Sequence, residues 1–82
     1  MFILKVDGTK EELTDTSLAG MQEAVGGYIQ VIPTNEGQFM IINEEGKWDK
    51  LPLNETANGM VTLFAGDYIV GDVIIAEAGE ME

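Results

Sequence analysis

Trp48 is the lone tryptophan of the chain, and Lys47 and Lys50 beside it are half of the four lysines. An indole with ammonium groups nearby can stack on a planar ligand or anchor a protein partner. The bland alternative is an aromatic at the rim of the core with solvated neighbours. Asn54, Tyr28 and Asn43 complete the candidate ligand- or partner-binding set with Trp48, Lys47 and Lys50.

Other chemistry finds little to work with. The chain has no histidine and no cysteine, and arginine is absent as well. The usual general base, thiol nucleophile, soft-metal ligands and bidentate phosphate clamp are therefore missing. Ser17 is the sole serine and has no histidine to activate it. Glu44-Glu45 falls in a turn, where solvated carboxylates are ordinary. Neither Asn35-Glu36-Gly37 nor Asn43-Glu44-Glu45-Gly46 has the alternating acids of a calcium loop. Gly26-Gly27 closes a helix rather than opening one, so the helix dipole there has the wrong sign for a phosphate. No catalytic residue, metal site or cofactor is expected, and the protein reads as a binder rather than an enzyme.

Charge sharpens that reading. Fifteen Asp and Glu against four Lys give a net charge of −11. Nucleic-acid backbones are held by Lys and Arg, so direct binding to DNA or RNA is not expected. A basic protein surface is the better electrostatic match. The same charge also serves simple solubility. Zero cysteines fit a reducing cytoplasm. The start, Met1-Phe2-Ile3-Leu4-Lys5, lacks the basic region and cleavage site of a signal peptide. The apolar stretch Tyr68 to Ala76 is too short to cross a bilayer.

The elements that must position the candidates follow from periodicity. At 82 residues the chain makes one domain. Phe2 to Val6 and Thr9 to Leu13 read as strands around the Asp7-Gly8 turn. Asp15-Thr16-Ser17 offers N-caps for a helix carrying Leu18, Met21 and Val25, with Gly26 suited to the left-handed position after it. A meander of Tyr28 to Pro33, Gln38 to Ile42 and Lys47 to Leu51 follows, with turns at Gly37 and Gly46. Asn54 caps a second helix that places Ala57, Met60, Val61 and Phe64 on one face, with Gly66 at its end. Tyr68 to Ala76 is apolar on both faces and should be the central strand.

These elements predict an α+β fold: an antiparallel sheet of about five strands with two short helices, in the order ββαβββαβ. Residues 1–77 form the domain, and 78–82 are an acidic C-terminal tail expected to fray. If both helices cover one sheet face, the other keeps an apolar patch. Such a surplus points to a homo-oligomer or a tight protein partner.

Val25-Gly26-Gly27-Tyr28-Ile29, Asn43-Glu44-Glu45-Gly46-Lys47, Leu51-Pro52-x-Asn54, Ala57 and Ile69-Val70-Gly71-Asp72-Val73 form a set. With these the chain resembles a family of small proteins of unknown function found in bacteriophages, prophages and conjugative elements. The match runs from about Leu18 to Ile75. The resemblance implies a mobile-element origin and a location in the cytoplasm of a bacterial host. By analogy it favours an accessory protein that inhibits a host defence or nucleic-acid-handling protein, with acidic mimicry as one route. The alternative is an oligomeric sponge for a small nucleotide signal, with Lys47, Lys50, Trp48 and Asn54 lining pockets between protomers.

Overall fold

Val73–Ala76, apolar on both faces, is the central strand of a five-stranded antiparallel sheet. The computed structural model describes residues 1–63 and 65–81. Its strands are β1 (Phe2–Leu4), β2 (Lys10–Glu12), β3 (Ile29–Pro33), β4 (Phe39–Asn43) and β5 (Val73–Ala76), in the spatial order β2-β1-β5-β4-β3. The helices are α1 (Leu18–Val25) and α2 (Glu55–Asn58). All four residues of β5 are buried, because β1 and β4 flank it and both of its faces are covered. Burial of such side chains contributes about 1.5–3 kcal/mol each for the larger ones.

The two helices lie on opposite faces, which corrects the expectation of one covered and one bare face. Beneath α1, Val25 packs with Ile41, Ile74 and Ala76. On the other face, Leu4, Met40, Val73 and Ile75 pack with Ala57 of α2 and with Val61 and Ile69 from the following segment. Period-two alternation makes both faces apolar, and this chain covers both itself. Among the described residues, the surplus apolar face that motivated self-association is thus largely packed within the chain.

α1 begins and ends as local chemistry dictates. Ser17 Oγ accepts from Gly20 N at 3.1 Å, and Asp15 Oδ1 accepts from both Ser17 N and Ser17 Oγ. At the other end Gly26 adopts φ 84°, and its N–H bonds Gln22 O. The Asp15 turn closes so tightly over Gly20 that a Cβ there would collide with the Asp15 carbonyl oxygen. Alanine is the better helix former by about 1 kcal/mol. Even so, Gly20→Ala is expected to destabilise by about 1–3 kcal/mol through this overpacking. Urea denaturation checks it, and a gain in stability would show that the turn yields freely.

Two expected elements change. Lys47 to Leu51 is not a strand. β4 is already paired on one side by β3 and on the other by β5, so a third meander strand has no edge to join. The segment winds through turns instead, with Asp49 N bonding Glu45 O, Leu51 N bonding Gly46 O, and Lys50 at φ 56°. The observed order is therefore ββαββαβ, with a closing 3-10 turn at Ala78–Met81.

α2 also stops early, at Asn58. The Asn58 side chain donates to Asn54 O and Ile69 O and accepts from Ile69 N, which ties it across to the later chain rather than along a helix. Met60 and Val61 still pack on the sheet, but from the turn after α2 and the irregular segment beyond it. Phe64, expected on this helix, lies outside the described residues, as does Glu82 of the tail. Gly66 caps no helix; it occupies a turn at φ 87°. Tyr68 to Gly71 stays out of β5 because Gly71 turns the chain at φ 76°, leaving one bridge between Val70 and Leu53. Within 78–81, Glu80 pairs with the Met1 amino group at 2.5 Å and accepts from Glu77 N, so this stretch is tied to the body.

Candidate functional site

The turns that replace the expected strand carry Trp48 outward. Its side chain is 87% exposed, the most exposed large hydrophobic of the chain's described residues. It lines a cleft of about 320 Å³ together with Ile32, Ile42, Tyr68 and Glu44. The core alternative for Trp48 is therefore removed.

Lys47 braces the loop rather than reaching for a ligand. Its ammonium pairs with the Asp67 carboxylate and lies 4.6 Å from the centre of the Tyr68 ring. Asp67 also accepts from Tyr68 N at 2.8 Å. The hydrogen bond from Lys47, with that from Tyr68 N, holds the Asp67 carboxyl below its ordinary 3.8. A lowered carboxyl pKa favours this arrangement above the ordinary value, and the benefit is lost as pH falls through the lowered one. Lys47→Met is expected to move the Asp67 titration upward toward its ordinary value, read by carboxyl NMR. An unmoved Asp67 would show that Lys47 does not hold it.

Gly46 sits at the root of the loop. A Cβ there would lie 2.9 Å from Val70 Cγ2, so the loop approaches the Val70 segment as only glycine allows.

The other candidates separate. Lys50 is exposed on the same loop but does not line the cleft. Tyr28 is 67% exposed and borders a second hollow of about 280 Å³ with Gly26, Gly27, Glu45 and Asp49. Asn43 is buried between the two hollows, and its side chain is spent on structure. Its Nδ2 donates to Val25 O at the end of α1, and its Oδ1 accepts from Glu45 N.

Asn54 is fully buried and lines neither of these hollows. Its Nδ2 donates to Leu4 O and Gly71 O, and its Oδ1 accepts from Ala57 N. Asn54 is thus a keystone of the fold rather than a ligand-binding residue. Among the described residues every buried side-chain nitrogen and oxygen has a partner.

Glu44, Asp67, Tyr68 and Gln30 join the site without having been candidates. Asp67 and Tyr68 lie twenty residues from the loop they brace, and only the Gly66-Asp67 turn signal marks their segment. Trp48, Tyr68, Ile32 and Ile42 offer stacking and apolar contact, while Glu44 and Asp67 supply negative charge. That combination suits recognition of an apolar or cationic group.

The family model for a domain of unknown function, DUF3846, matches residues 1–82, the whole chain. The chain belongs to the DUF3846 family. No curated protein and no solved structure matches it. In this DUF3846 chain the turn and cap residues Gly26, Gly46 and Asn54 have structural work, whereas the Trp48 side chain makes no hydrogen bond among the described residues. Among the described residues no helix is long and apolar enough to cross a membrane.

Proposed function

We propose that this DUF3846 protein is a non-catalytic binding module of phage or other mobile-element origin. It acts in the bacterial cytoplasm by occupying a host defence or nucleic-acid-handling protein. The observation that carries the reading is Trp48, 87% exposed on a loop braced by Lys47, Asp67 and Tyr68. A large aromatic held outward on an ordered loop is the residue type that dominates interface energetics. Glu44, Glu45 and Asp49 share that loop, and a net charge of −11 steers it to a basic surface. Acidic mimicry of a nucleic acid is a route by which such occupancy would inhibit.

Chemistry is the weaker reading. The hydroxyl of Ser17, the sole serine, is engaged in capping α1. The nucleotide sponge is weaker too. Lys47 is the cation that lines the cleft and is already paired with Asp67, while Glu44 would repel a phosphate. Asn54, needed for that pocket, is buried elsewhere.

The test is capture from bacterial lysate with the parent protein and with Trp48→Ala, both shown to be folded. A basic protein retained by the parent and lost by the variant is the expected result. Equal retention by both would remove Trp48, and this reading with it.

A further inference from the structure

The sheet has two edges, and they are built differently. β2 is a three-residue edge of Lys10, Glu11 and Glu12, short and charged in the way that discourages added strands. β3 is the opposite edge. Its five residues, Ile29-Gln30-Val31-Ile32-Pro33, carry no charge in a chain of net −11.

The hydrogen-bond phase of β3 sets which groups face outward. Glu44 N bonds Tyr28 O and Thr34 N bonds Gln38 O. Alternation then turns Gln30 and Ile32 toward β4, and leaves the N–H and C=O of Ile29 and Val31, with the C=O of Pro33, pointing off the edge. Among the described residues no side chain bonds these groups, and Val31 is 42% exposed.

The cleft that Trp48 lines opens beside this edge. Gln30 and Ile32 of β3 line it, and Glu44, Trp48 and Tyr68 border it. A strand added to β3 would place the residues opposite Gln30 and Ile32 on the cleft side, alternating with residues on the α1 side.

We propose that an extended, basic segment of a protein partner adds to β3 as a further strand of the sheet. An apolar side chain opposite Ile32 and a lysine or arginine opposite Gln30 enter the cleft. This rests on the partner-binding reading above and names its mode of docking. The charge at the site selects the occupant. Glu44 has no ion pair among the described residues, and a cation opposite Gln30 comes toward it.

A second copy of this chain fits poorly. Two-fold pairing along β3 runs the Glu36 turn of each copy toward Glu44 and Glu45 of the other, at both ends. Lys5 and Lys10 sit on the β1–β2 side of the sheet and offset none of this.

The test uses an acetylated octapeptide, Arg-Thr-Val-Thr-Arg-Thr-Val-Thr, at millimolar concentration. Amide hydrogen exchange reads the edge, and emission of the single tryptophan reads the cleft. Exchange of the Ile29 and Val31 amides should slow by about ten-fold or more, and Trp48 emission should shift to the blue. Val31→Pro removes an outward N–H while leaving the ladder to β4 intact. It should keep the parent melting temperature and lose about ten-fold or more in affinity, whereas Val31→Thr should bind like the parent.

Unprotected Ile29 and Val31 amides, equal binding by a folded Val31→Pro, or equal binding of the peptide with Glu in place of Arg would each overturn strand addition. So would protection that appears without peptide as protein concentration rises, because the occupant would then be a second copy. A Trp48-dependent partner captured by Val31→Pro as well as by the parent would sink the docking mode and spare the functional reading.

Discussion

Asn54→Ala is expected to lower the unfolding free energy by about 3–5 kcal/mol, the largest effect of any single side chain considered. The substitution strips the side-chain partner from Gly71 O and Ala57 N at once, and a second donor from Leu4 O, which stays in the β1–β5 ladder. Each is a backbone group in or beside the core, and an unpartnered buried group costs about 1–3 kcal/mol. A domain of 82 residues has roughly 4–12 kcal/mol in total, so the loss is a large fraction of it. Ser17→Ala is the control. Ser17 also caps a helix, but it is exposed, and water replaces it at a cost of about 0.5–2 kcal/mol. Urea denaturation of both variants separates the cases. If Asn54→Ala costs no more than Ser17→Ala, its bonds to β1 and to the Gly71 turn carry nothing. Asn54→Asp keeps the acceptor for Ala57 N but turns an oxygen toward the Leu4 and Gly71 carbonyls, so it should not rescue.

Features set by a few neighbouring residues were legible in the sequence. Ser17 and Asn54 cap helices, and Gly26 and Gly37 take positive φ, because each depends on groups within about one turn of the chain. The central place of β5 was legible as well, since only a strand covered on both sides tolerates Val73, Ile74, Ile75 and Ala76 in succession. What failed depended on distant pairing. Lys47 to Leu51 follows a hairpin-like turn at Gly46, but the edge a third strand needed is taken by a segment that arrives more than twenty residues later. Alternation told that both sheet faces are apolar without telling which helix covers which. The same gap hid half of the site: Lys47 finds Asp67 and Tyr68 only once the chain has returned past α2. Among the candidates, Trp48 and Lys47 share the cleft, Tyr28 and Lys50 lie apart, and Asn43 and Asn54 are consumed by the scaffold.

Trp48→Ala is expected to weaken binding of the captured partner by about 30-fold or more, the equivalent of about 2 kcal/mol, while stability stays within about 0.5 kcal/mol of the parent. The split follows from exposure. At 87% exposed, the indole gives the folded chain almost no burial to lose. In a complex the same ring would bury 150–250 Å², to judge by aromatic side chains in general, on the order of several kcal/mol of gross apolar contact before ordering costs. The loop around it is already ordered by the Lys47–Asp67 pair and by the bond from Leu51 N to Gly46 O, so little of that gain is spent on immobilising the backbone. Trp48→Phe should retain part of the affinity, as the smaller ring still fills part of a partner's pocket. Thermal melts and titration of the purified partner read the two quantities separately. A fall of about 3–5 kcal/mol in stability would mark a core residue. Unchanged affinity in a folded Trp48→Ala would make the exposed indole incidental and overturn the binding reading that rests on it.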